Sequence, residues 1–159
     1  MANKLILGAN GFDKLALGYE RNVSQIETRA FTVAATETDG ILPGDLLVVT
    51  NNPQVYAKPT AVTDIVAGIA LATNVKVDTL FPQSDTEVAF KAGEKGAALI
   101  HGDIAVKLHG NAPKEGDPVY YDLTNRAFTT VSSSNLAIPG ARFTGETEGN
   151  VTVIYVQYI

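Results

Sequence analysis

The chain has 159 residues, a formal net charge of −5, 18% charged residues and no cysteine. No cysteine means no disulfide, thiolate metal site or cysteine nucleophile, the lack of a basic cluster removes a nucleic-acid footprint, and no apolar run approaches membrane length. The length fits one domain, or one domain with an arm, and a charge content below the ~25% of typical soluble domains is consistent with a surface partly covered by a partner.

Residues 1–29 stand apart. They carry four basic and three acidic side chains, against eight and fourteen in the remainder. Met1-Ala2-Asn3-Lys4 is followed by only three clearly apolar residues, Leu5 to Leu7, too few for a secretion signal, so synthesis in a cytoplasm is expected. Asn10-Gly11 is a turn signal. Around it Leu5, Ile6, Leu7, Phe12, Leu15, Leu17 and Tyr19 are apolar without a clean helical or strand period. The segment reads as an extended arm with several apolar anchors that gains order on another surface. The competing reading is an ordinary N-terminal hairpin of the core.

Residues 30–159 read as one β domain. Short runs rich in Val, Ile and Thr are broken by turn chemistry every 8–15 residues, which suits a compact sandwich or barrel. The expected strands are 31–36, 46–50, 65–72, 74–80, 87–92, 97–101, 104–108, 119–122, 126–131, 141–144 and 151–158. Residues 74–92 read as an inserted hairpin around Pro82–Asp85. His101-Gly102-Asp103 is read as a break. Val151–Tyr158 is apolar on both faces, the mark of a central or interface strand.

A pattern recurs within this domain. Pro43-Gly44-Asp45 feeds Leu46–Val49, with Gly68 24 residues after Gly44. Glu115-Gly116-Asp117 feeds Pro118–Tyr121, with Gly140 24 residues after Gly116. Two similar β units folded against each other are the expectation. At Asp45 and Asp117 a carboxylate can accept backbone N–H groups and lock the turn; paired carboxylates can also do acid–base work, but the duplication favours the structural role.

Other chemistry is sparse. His101 and His109 have no acidic partner in a ligand-like frame and read as surface residues. Ser132-Ser133-Ser134 is a loop, not a nucleophile elbow. Gly93-Glu94-Lys95-Gly96 lacks the phosphate-loop spacing, and Asp78–Glu87 lacks the spacing of a calcium loop. No metal, cofactor or catalytic residue is expected.

Taken in order, Pro43–Val48, Val66–Ala70, Gly93–Ile100 and Gly116–Tyr120 resemble the head decoration, or cement, proteins of tailed bacteriophages. The resemblance implies a non-enzymatic virion protein, made in the host cytoplasm. It would bind the capsid's outer surface between major capsid subunits, as a dimer or trimer, and stabilise the shell without contacting nucleic acid or membrane. An arm such as Leu5–Tyr19 would add a strand to an exposed sheet edge. Two other readings stay open at this point. One is a carbohydrate-binding module using Tyr120, Tyr121, Tyr155 and Tyr158; the other is a small β-barrel enzyme or accessory domain.

Overall fold

The computed structural model describes residues 17–18, 26–72, 89–157 and 159. Nine strands form in chain order: β1 (Glu27–Val33), β2 (Leu46–Val49), β3 (Val55–Ala57), β4 (Val66–Ala70), β5 (Lys95–Lys107), β6 (Pro118–Asp122), β7 (Ala127–Thr129), β8 (Leu136–Glu148) and β9 (Val151–Gln157). Among the described residues the fold is all-β.

Strand pairing explains the repeat. The order β1-β3-β2-β4-β5 closes on itself because β5 also pairs β1, with Thr32 opposite Lys95 and Ala30 opposite Ala97. This is a five-stranded barrel, and closure leaves it no open edge. The strands β5-β9-β8-β6-β7 form a second ring. Its β7 returns to the end of β5 through a parallel bridge between Phe128 and Leu108, where the His109 N–H donates to Phe128 O at 2.8 Å. In the first ring the parallel contact is Val33 opposite Tyr56, and Tyr56 and Phe128 are 72 residues apart. The two units thus share β5: its first half belongs to one ring and its second half to the other.

Several strands differ from expectation for physical reasons. His101-Gly102-Asp103 is not a break; it lies inside β5, where pairing to β9 runs without interruption from His101 to Lys107. Local turn chemistry yields there to ladder bonds. β8 is 13 residues long and contains Pro139 and Gly140; its pairing to β6 is irregular between Pro118 and Tyr120, which accommodates residues that a regular ladder excludes. β3 follows Asn52-Pro53 and is only three residues long, too short to show a period. β9 is central, flanked by β5 and β8. Of the expected hairpin 74–92, residues 74–88 lie outside the described residues. Its end, Phe90, makes an isolated bridge to Ile41.

Two apolar clusters fill the molecule. Phe31, Leu47, Tyr56 and Phe90 centre the first ring; Phe31 stacks on Tyr56 at 5.7 Å between ring centroids and meets Phe90 edge-on at 6.2 Å. The larger cluster holds Tyr121, Phe128, Phe143 and Ile154, together with Leu46, Val48, Ile69 and Leu99 from the first ring. Those four alternate along their strands with Leu47, Ala70 and Ala98 of the other cluster. β2 and β4 therefore bury both faces, one inside their own ring and one against the second unit. The buried Thr152 hydroxyl is satisfied by Glu146 O at 3.0 Å and lies 3.2 Å from the Thr147 hydroxyl.

Candidate functional site

The repeated turns are built alike, atom for atom. Leu42 N–H donates to Asp45 Oδ2 at 2.8 Å, and Asp45 N–H donates back to Leu42 O at 3.1 Å. Lys114 N–H donates to Asp117 Oδ2 at 2.8 Å, and Asp117 N–H returns to Lys114 O at 3.1 Å. Gly44 and Gly116 both have φ 87°, the left-handed position that such a turn reserves for glycine. Each turn is stitched to a neighbouring strand: Gly44 N–H to Ala70 O, and Gly116 N–H to Phe143 O. A third copy escaped the sequence reading. Lys91 N–H donates to Glu94 Oε2, Glu94 N–H donates to Lys91 O at 2.9 Å, and Gly93 has φ 81°. The available signal was a Gly-acid pair before a strand, here with Glu in place of Asp.

Of the expected arm anchors, Leu5, Ile6, Leu7, Phe12, Leu15 and Tyr19 lie outside the described residues. Leu17 is described, next to the buried Gly18. Gly18 N–H donates to Ala105 O at 2.8 Å, and Gly18 O accepts from Ala72 N–H at 2.9 Å. A Cβ on Gly18 would stand 2.6 Å from Pro43 Cβ and 2.8 Å from Gly44 N. The first repeated turn is thereby the seat of the arm's root, and only a residue without a side chain fits there.

Leu17 and this turn also wall a cleft of about 470 Å³ at the junction of the two units. Pro43, Phe128 and Val151 supply apolar surface; Lys107 and Arg126 supply charge. A second depression of about 490 Å³ adjoins it, sharing Asp39, Lys58 and Arg126, and reaches Val49 and Asp64. Most acids here serve the fold. Glu37 Oε2 lies 3.4 Å from Lys58 Nζ and Glu37 Oε1 accepts Lys58 N–H; Asp64 Oδ2 accepts from Thr60 and Ala61 N–H. Among the described residues neither Lys107 nor Arg126 has a salt-bridge partner. Beside the second depression Val49, Val62 and Ile65 are 41%, 48% and 69% exposed, and Val49 N–H donates to Ile65 O.

The β6–β7 turn that carries Arg126 is held by Asp122. Its carboxylate accepts from Thr124 N–H, Asn125 N–H and Asn125 Nδ2, and the Asn125 side-chain bond is the chief cause holding its pKa below the usual range. Arg126 has φ 49°, and Gln54, 72 residues earlier, has φ 60°. The left-handed residue thus belongs to the repeated hairpin and is no sign of a strained site.

A polar row crosses the other sheet face. Asp103 of β5 lies opposite Tyr155 of β9, and Tyr155 lies opposite Arg142 of β8. His101, expected as a surface residue, is half-buried in β5 with its ring 5.6 Å from that of Tyr155. Burial, then the charge of Glu146, pushes the Asp103 carboxyl up, against the opposing effect of His101. Tyr121 is buried, and burial raises its hydroxyl pKa. Of the four tyrosines considered for sugar binding, Tyr155 is exposed, Tyr120 is half-buried and Tyr158 lies outside the described residues. Among the described residues no group of His, Asp and Glu is placed to hold a metal.

Comparison with known proteins gives a consistent picture. A family model described as structural cement protein (E217 gp24/Pam3 gp6) matches residues 13–157. A solved chain from a structure titled the capsid of Myoviridae phage XM1 superposes with a TM-score of 0.71, covering 94% of each chain at 17% identity. At that identity the likeness is one of fold. No curated protein sequence matches.

Proposed function

Since the chain belongs to the phage structural cement protein family, we propose that it binds the outer surface of the assembled capsid between major capsid subunits and stabilises the shell. The observation that carries this reading is the family match over residues 13–157, nearly the whole chain. It begins at residue 13, ahead of β1. The virion is the place of action, after synthesis in the host cytoplasm.

The physical basis is a stiff body with an arm. Two rings sharing a strand and a core cluster resist bending, so a load between capsid subunits is transmitted. In this reading the anchors Leu5, Ile6, Leu7, Phe12, Leu15, Leu17 and Tyr19 lie along a capsid sheet edge, where backbone hydrogen bonds supply affinity and alternate side chains supply specificity. Ordering the arm costs conformational entropy. Association of two or three copies offsets that cost, because each further contact is then intramolecular.

Co-sedimentation with expanded, undecorated capsids and with unexpanded procapsids tests the proposal. Saturable binding to expanded shells, with a raised shell melting temperature, is the expected result. Absence of binding to capsids of the cognate phage refutes it.

A further inference from the structure

We propose that the cleft between the two rings, continued by the Val49–Ile65 patch, seats an extended segment of the capsid protein that carries a carboxylate beside apolar residues. This rests on the capsid-binding reading above and names where on the body the partner lies.

Charge is the first observation. The chain is acidic overall, at −5, yet Lys107 and Arg126 face one cleft with no salt-bridge partner among the described residues. Of the acids around them, Asp45 closes its own turn and Glu37 holds Lys58, while Asp39 lines the cleft without a salt bridge to either cation. Two cations flanking an apolar floor complement a carboxylate with greasy neighbours, and the planar guanidinium of Arg126 suits bidentate pairing.

Convergence is the second. Lys107 ends β5 and Arg126 sits in the β6–β7 turn. They share the cleft because the Leu108–Phe128 bridge closes the second ring. The third is the apolar continuation. Val49, Val62 and Ile65 are three of the five large hydrophobic side chains exposed among the described residues, and Val49 lines the depression that adjoins the cleft through Arg126. A grouped exposed patch of this kind marks a covered surface more often than a scattered one. The cleft of about 470 Å³ and the adjoining depression of about 490 Å³ hold more than one side chain, which favours an extended segment over a single inserted residue.

The test is binding of the full chain to expanded capsids by the Lys107→Glu/Arg126→Glu double variant and, separately, by Ile65→Ser. Both sites are exposed, so native circular dichroism and melting are expected. The double variant should bind about tenfold or more weakly and lose the salt sensitivity of wild-type association; Ile65→Ser should bind several-fold more weakly. If either charge-reversed residue disturbs folding, Lys107→Gln/Arg126→Gln replaces the pair. Unchanged affinity in the charge variants overturns the proposal. A photo-crosslinker at position 126 should capture the major capsid protein; capture of a second copy of this chain instead overturns the assignment of the occupant. Failure of the wild-type protein to bind expanded capsids is a different result, and it refutes the capsid reading itself.

Discussion

At the scale of single residues, identical turns sit in different surroundings, and that difference is measurable. Gly44 and Gly116 share φ 87°, so an alanine at either incurs left-handed strain of about 1–2 kcal/mol. A Cβ at Gly116 meets nothing within 4 Å, whereas one at Gly44 lies 3.2 Å from Gly18 N and 3.5 Å from Ala105 O. Denaturant unfolding should therefore show Gly116→Ala losing about 1–2 kcal/mol and Gly44→Ala distinctly more. Equal losses would mean that the packed arm root adds nothing to stability. Asp103 gives a pH signature. Its carboxyl is raised, first by burial and then by Glu146, so the folded state holds the proton more tightly than the unfolded chain. Stability attributable to this group is present below the ordinary aspartate value of about 3.9 and is lost as pH rises through the folded value. Asp103→Asn should melt higher than wild type at pH 7, with the gain fading toward pH 3.5; a variant that melts lower at pH 7 refutes this.

Among the elements, β9 and the arm should behave in opposite ways when removed. β9 pairs with both β5 and β8 and buries Val153, Ile154 and Val156. Each such side chain contributes about 1.5–3 kcal/mol, against a whole-domain stability of about 5–15 kcal/mol. Deleting residues 151–159 should leave no cooperative melting transition. Deleting 2–16 retains Gly18 and its bonds to Ala105 and Ala72, so the body should melt as wild type while capsid binding weakens. Deleting 2–28 also removes that root and the first two residues of β1, and should lower the melting temperature as well. A 2–16 deletion that fails to fold would show that the arm is part of the core. The strand signals themselves were unevenly legible. β9 announces itself by apolar residues on both faces, and β2 by following a Gly-Asp turn. The continuity of β5 through Gly102 was hidden, because a His-Gly-Asp triplet carries strong turn chemistry and the ladder that overrides it comes from residues 151–157.

For the whole molecule the question is whether two rings make one folding unit. The larger core cluster takes Leu46, Val48, Ile69 and Leu99 from the first unit and Phe143 and Ile154 from the second, and β5 is common to both rings. A single unfolding transition is expected by calorimetry. Phe31→Ala and Phe143→Ala, at about 3–5 kcal/mol each, should both lower that same transition. An early separate transition in Phe31→Ala alone would show that the rings unfold independently. By itself the sequence determined the all-β class and the duplicated Gly-Asp turns, and narrowed the last strand to a central or an interface place. Those features rest on period-two patterning and turn stereochemistry, which are local. The tertiary structure alone decided the closure of the rings, their shared strand, the seating of Gly18 on the first turn and the meeting of Lys107 with Arg126. Each of these depends on which distant strands pair, and pairing is set by the burial of both faces of β2 and β4 together with the Thr152, Ile154 and Val156 face of β9, a condition that no single stretch of the chain encodes.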